Sequence, residues 1–239
     1  MQISCKDKVV LLAGGTGGLG QAVSLAFVGE GAKVVATYRN EKELESLKSA
    51  AGANAAAIDG AKTDVTSEAD VARLIEGMVA KYGRLDALVN TVGAYAGGLK
   101  LWETDAKTFD RMLGLNLCSG FVLARAAVPV MLKQGRGAVV NVAAKAAVDH
   151  GAGASAYAAS KAAAVAMMDS LAADLKGTGV RVNSVLPSII DTAVNRQAMP
   201  NADFGVWPKP KEIASVILFL ASDAAQVIHG AAIPVYGKS

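Results

Sequence analysis

Along the chain, short runs of β-branched and other apolar residues alternate with longer stretches whose apolar positions recur at helical spacing. "KVVLLAGG" (8–15), "AKVVATY" (32–38), "LDALVN" (85–90), "GAVVNVA" (137–143) and "VRVNSVL" (180–186) are apolar nearly throughout. Strict alternation would mark a sheet with one wet face; continuous runs mark parallel strands covered on both faces. Between them the pattern predicts helices over about 18–29, 41–51, 67–82, 104–133, 155–176 and 210–221. "AAAID" (55–59) is read as a further strand and "AAIPVYG" (231–237) as the last one. Strand–helix alternation implies βαβ units and a doubly wound parallel sheet with helices on both faces, an α/β fold. No linker or repeat divides residues 1–239, so a single domain is expected.

Composition narrows the class. Hydrophobic residues make up 52% and charged residues 19% of 239, enough for a large core and contrary to disorder. A net charge of +3 without any run of like charges gives no footprint for nucleic acid. Cys5 and Cys118 have neither metal-ligand spacing nor a disulfide framework, and Cys118 in "LGLNLCSGF" is read as a reduced core thiol. His150 and His229 stand alone, so no metal is expected. "MQISCKDK" lacks a leader's apolar segment, and no apolar run approaches the ~20 residues of a membrane span. The expectation is a cytoplasmic protein acting on a small molecule, with neither membrane nor nucleic acid as partner.

The first chemical signal is "AGGTGGLG" (13–20), between the first strand and the first helix. Gly15, Gly17 and Gly20 satisfy Gly-x-Gly-x-x-Gly; Gly14, Gly18 and Gly20 satisfy Gly-x-x-x-Gly-x-Gly, with Thr16 and Leu19 between them. Glycine lets the backbone turn tightly against a pyrophosphate, and the helix N-terminus supplies N–H groups and partial positive charge. The placement makes this a dinucleotide-binding, Rossmann-type domain. Where NAD sites usually carry an acid for the ribose 2′-hydroxyl, this chain has Tyr38 and Arg39. An Arg there suits a 2′-phosphate, which favours NADP(H) and leaves NAD(H) possible.

The second signal is in "ASAYAASKAAAVAMM": Tyr157 and Lys161, four apart, share one helix face. An ammonium beside the phenol is expected to stabilise the phenolate and lower the Tyr157 pKa toward neutrality, fitting it to exchange a proton during hydride transfer.

These motifs, taken in order, resemble the short-chain dehydrogenase/reductase family over nearly the whole chain. "GGTGGLG" is similar to its glycine motif and "TDV", with Asp64 and Val65, to its adenine-contacting turn. "LVNTVG", with Asn90 and Gly93, resembles its Asn-Ala-Gly segment. Asn116 matches its structural Asn, and Tyr157 and Lys161 its catalytic pair. "RVNSVLPSIIDT", with Pro187, Ile190 and Thr192, resembles the segment that closes over the nicotinamide, with Ser188 in place of the usual Gly. The resemblance also implies a homodimer or homotetramer built through helices such as 104–133 and 155–176.

One departure stands out. The family places a Ser thirteen residues before the Tyr to hydrogen-bond the substrate carbonyl; this chain has Ala144 there. Dihydropteridine reductases, in the same superfamily, also lack that Ser, and "AAKAAVDHGAGASAYAASK", "VGAYAGG" and "IDTAVNRQAMPNADFGVW" resemble their corresponding segments. That resemblance implies substrate contacts from Ala144, Tyr95, Asn195, Met199, Phe204 and Trp207, and a lid near 188–210. Those enzymes generally favour NADH, so the cofactor is not carried over. The expected activity is reduction of a quinonoid dihydropterin or similar conjugated imine. The alternatives are an NADP-dependent carbonyl reductase and a non-catalytic nucleotide-binding protein.

Overall fold

The computed structural model describes residues 3–239; Met1 and Gln2, which belong to the stretch compared with a leader, lie outside the described residues. Seven parallel strands form one sheet: β1 (Val9–Ala13), β2 (Lys33–Tyr38), β3 (Ile58–Lys62), β4 (Ala87–Asn90), β5 (Gly137–Val142), β6 (Val180–Pro187) and β7 (Ala231–Val235). Their spatial order is β3-β2-β1-β4-β5-β6-β7. The connecting helices are α1 (Gly18–Gly29), α2 (Glu41–Ala51), α3 (Glu68–Tyr82), α4 (Ala106–Leu113), α5 (Ser119–Gln134), α6 (Ser155–Asp174), α7 (Ala193–Ala198) and α8 (Pro210–Ala221).

Side chains alternate across the strands, so successive apolar residues feed two separate cores. Val10, Leu12, Val34, Val89 and Val140 face α1, α2 and α8, with Phe27 and Leu47 among the fully buried residues of that layer. Val9, Leu11, Leu88, Val139 and Val182 face α3, α5 and α6, where Leu123, Met131 and Met168 fill the space. Both faces being covered is why the strands read as unbroken apolar runs. The result is one Rossmann-type α/β domain.

Several elements differ from the sequence pattern. The third strand begins at Ile58, because Gly52–Ala57 winds into a 3-10 turn that displaces "AAA" from the sheet. Helix α7 has no counterpart among the predicted helices; Thr192 starts it, its Oγ1 accepting from the Asn195 amide. The predicted helix 104–133 is α4 and α5 joined by a π turn, Gly114–Cys118. The extra residue in that turn shifts the helical phase, and Cys118 is an exposed free thiol rather than a core one. This run, Ala106–Gln134, is also long and apolar enough to cross a membrane, although scattered polar residues keep any unbroken apolar run within it short. Half of its most apolar window is buried, where it packs on the sheet and α3.

Candidate active site

The sheet reverses its winding between β1 and β4, so the loops leaving those strands diverge and open a crevice at the carboxyl edge. The glycine loop fills one side. Gly14 has φ +74°, its N–H donates to Thr37 Oγ1 at 2.9 Å, and Thr91 Oγ1 donates to the Ala13 carbonyl at 2.8 Å. Ser24 Oγ ties down the Gly15 carbonyl, and Thr16 Oγ1 donates to Glu43 at 2.9 Å. A Cβ at Gly20 would drive into the Gly14 carbonyl, so the first turn of α1 can lie on the loop only with glycine there. That turn has Gly17 as its N-cap, no side-chain cap and no acidic residue, leaving its N–H groups free for an anion.

A cavity of about 260 Å³ runs from this loop across Tyr38, Arg39, Asp64, Val65 and Gly93. The Asp64 carboxyl is held below its ordinary range by hydrogen bonds from the Thr66 hydroxyl and amide. Thr37, Glu43, Thr66, Thr91, Val92 and Leu115 also line the cavity. Sequence reasoning missed them: scattered over a strand, a helix, a π turn and loops, they share no local pattern and meet only once the fold is known. Asn90 behaves otherwise. Its amide donates to Asn141 Oδ1 and its carbonyl oxygen accepts from Val92 N, so it braces β4 against β5 instead of lining the cavity.

Tyr157 and Lys161 lie in the first turns of α6, with Asn116 in the π turn opposite. Asn116 Nδ2 donates to the Ala94 carbonyl and to Ser160 Oγ, and its Oδ1 accepts from Ala94 N at 2.9 Å. Lys161 is buried, and its ammonium donates to the Val142 carbonyl at 3.0 Å, pinning α6 to the end of β5. A Cβ on Gly93 would come within 2.9 Å of Asn116 Oδ1 and 3.1 Å of Lys161 Nζ, so these three positions meet at one point. The Tyr95 ring meets the Tyr157 ring edge-on, centroids 5.0 Å apart.

The electrostatics correct one expectation. Burial, with a smaller contribution from Tyr95, pushes the Tyr157 phenol up to about 12. Burial likewise pushes Lys161 down to about 8. In the chain by itself Lys161 therefore does not acidify Tyr157: its ammonium donates to the Val142 carbonyl, and burial dominates the shift of each group.

The short chain dehydrogenase family pattern matches residues 8–203. The chain belongs to that family. It is 34% identical over 240 residues to the 3-oxoacyl-acyl-carrier-protein reductase FabG of Thermotoga maritima, covering 97% of each. It is 35% identical over 239 residues to the D-threitol dehydrogenase of Mycolicibacterium smegmatis, covering 96% of this chain and 92% of the relative. Among solved structures, ElxO with NADP bound superposes with a TM-score of 0.91 at 26% identity, covering 97% of this chain and 98% of the other. This short chain dehydrogenase is thus an oxidoreductase. Neither named relative is a dihydropteridine reductase, so the finer resemblance finds no support in them.

In this short chain dehydrogenase, the segment after β6 is structured by its own side chains. Pro187 ends the strand; Thr192 lies over the first turn of α1, with its Cγ2 at 3.3 Å from where a Gly18 Cβ would stand. Arg196 grips Asp191 in a two-pronged ion pair and lies over the Phe204 ring. Three residues expected at the substrate have other commitments. Asn195 Nδ2 donates to the Ile190 carbonyl at 2.8 Å, closing the turn before α7. Trp207 is buried, and Phe204 packs on it at 5.0 Å. Neither these nor Met199 lines a described cavity with Tyr95. Ala144 is buried, and it leaves β5 two residues beyond the Lys161 anchor.

Proposed function

We propose that this protein uses NADPH to reduce a flat, electron-poor conjugated imine of the quinonoid dihydropterin type. The observation that carries the reading is the Ala144 methyl where the family has a serine, with neither nearby serine of α6 taking its place. Ser160 Oγ donates to the Tyr157 carbonyl and accepts from Asn116, so it is already engaged. Ser155 Oγ is buried at the start of α6, in the lining of a different cavity from that of the glycine loop. A ketone builds negative charge on oxygen and needs a positioned donor. A conjugated imine builds it on ring nitrogen, where one proton from Tyr157 suffices.

The uncapped α1 N-terminus and the glycine cradle fit a pyrophosphate, and Arg39, in the same cavity and without a carboxylate partner among the described residues, fits a 2′-phosphate. When bound, the nicotinamide cofactor supplies the hydride. Tyr157 holds the proton to be given. Lys161, fixed by Val142, and Asn116, fixed by Ala94, set the floor of the site, while Tyr95 offers an aromatic edge for a planar acceptor. Pro187, Ile190 and Thr192 border the cofactor, and the 188–210 segment acts as a lid. A homodimer or homotetramer is part of the same proposal.

The test is loss of NADPH absorbance with quinonoid dihydropterin present. The expected result is a rate well above the acceptor-free blank that disappears in Tyr157→Phe; a rate equal to the blank rejects the substrate. A second reading, reduction of a ketone or 3-oxoacyl group, draws its support from the named activities of the two relatives.

A further inference from the structure

A second cavity, about 350 Å³, is bordered by Tyr95, α4 and the first turn of α6. Its polar contents are unusual. Arg111, on α4, points no charge at a carboxylate among the described residues, and no acidic side chain lines the cavity. Ser155 Oγ is buried with no hydrogen-bond partner among the described residues, although a buried hydroxyl is ordinarily satisfied. Thr104 and Thr108 are different: their hydroxyls donate to the Lys100 carbonyl and to Asp105.

The backbone points the same way. Helix α6 has Ala154 as its N-cap, with no side-chain cap and no acid in its first turn. Its first helical bond runs from Ala158 N to the Ala154 carbonyl at 2.8 Å, so the amides of Ser155, Ala156 and Tyr157 precede any internal acceptor. Gly153, Ala154, Ser155 and Ala156 all line the cavity. Arg111, Ser155 with its unsatisfied hydroxyl, and the positive end of a twenty-residue helix therefore border one space. An anion answers the guanidinium and the amides together, and the Ser155 hydroxyl as well once it turns toward the cavity.

We infer that the acceptor carries an anionic arm, a carboxylate or phosphate, which passes the Tyr95 ring and is held by Arg111, Ser155 and the α6 amides. This rests on the reading of Tyr157 as the proton donor, because Tyr95 both lines the cavity and touches Tyr157. Arg111 and Ser155 are then specificity-determining residues that take no part in the proton step.

The experiment has two arms. Calorimetric titration of the protein saturated with NADP, so that the glycine loop is filled, uses inorganic phosphate and benzoate as probes. At least one binds; Arg111→Gln weakens it about tenfold or more and Ser155→Ala about threefold, in line with loss of charge-assisted and neutral hydrogen bonds. Tighter benzoate marks a carboxylate arm and tighter phosphate a phosphate arm; equal affinity in wild type and Arg111→Gln, or no binding of either probe, overturns the inference. The kinetic arm compares two acceptors sharing one reducible ring, one of them bearing a carboxylate. Arg111→Gln raises KM about tenfold for the acid at unchanged kcat and leaves the neutral acceptor alone. Equal effects on both acceptors overturn the cavity assignment while leaving the reductase reading intact. No turnover of either acceptor sinks the reductase reading, and calorimetry still decides whether the cavity takes an anion.

Discussion

Restoring the hydroxyl that this chain lacks separates the two readings of its chemistry. Ala144 sits in extended backbone, φ −166° and ψ 160°, which serine adopts without strain. The residue is 8% exposed, so an added Oγ either finds a partner or stays unsatisfied, at a cost of roughly 1–3 kcal/mol in stability. Facing a ketone, that Oγ would donate to the developing oxyanion. One such donor is worth about 2.7–4 kcal/mol, or roughly 10²–10³ in rate. Ala144→Ser is therefore expected to raise kcat/KM for a simple ketone about a hundredfold or more. For a quinonoid dihydropterin the negative charge grows on ring nitrogen, out of line with the new donor, and the expected change is less than about threefold.

The assay is NADPH oxidation by wild type and variant with both acceptors, alongside urea unfolding to account for lost stability. Two results would refute the reasoning. An unchanged ketone rate in a folded variant means that position 144 does not face the reacting carbonyl. An equal rise for both acceptors means that the native substrate also lacks a donor it needs, and the methyl is then a handicap with no chemical rationale.

Two further outcomes follow from the same geometry. Arg39→Ser is expected to lower kcat/KM with NADPH by roughly ten- to a hundredfold, the loss of a charge-assisted contact, while NADH stays within about twofold; equal losses for both cofactors would show that Arg39 does not read the 2′ position. Lys161, pushed from 10.5 to about 8 by burial, makes the unfolded chain bind more protons than the folded one between those pH values, so stability rises with pH across that window. The rise amounts to at most about 3 kcal/mol, and Lys161→Met removes it. Tyr157, raised to about 12, acts oppositely and only above pH 10. Unfolding curves of both proteins between pH 7 and 10 check this, and parallel pH profiles would place the lysine charge in water.

The sheet, the glycine loop and the Tyr157–Lys161 spacing are legible in the sequence because each depends on local pattern: unbroken apolar runs, a strand-to-helix glycine cluster, and two residues one helical turn apart. What is not legible depends on partners distant along the chain. Nothing around Lys161 announces that its ammonium is committed to Val142, nineteen residues away. Asn195 and Asn90 look like ligand contacts until their amides are traced to Ile190 and Asn141. Trp207 reads as a substrate cap, but its ring is large enough to be the core of its own segment. The π turn is hidden because "GLNLC" continues the helical apolar rhythm on either side, and only the hydrogen bonds show the extra residue. Ser155 and Arg111 are 44 positions apart and meet only through the packing of α4 on α6.

The opposite pKa shifts of Tyr157 and Lys161 bear on the direction of the proposed reaction. An alcohol dehydrogenase acting at neutral pH needs a base that has already lost its proton; a phenol pushed up to about 12 by burial is almost wholly protonated there. A reductase needs the reverse, a proton held until negative charge appears beside it. The chain by itself suits reduction, since the phenol retains its proton and Lys161 near 8 exchanges its own charge close to working pH. A weak acid gives up its proton only as a base develops beside it, and hydride addition to a ketone or to a conjugated imine supplies such a base. Burial of Tyr157 thus bears on the direction of transfer, while the choice between a ketone and a conjugated imine turns on the methyl at position 144.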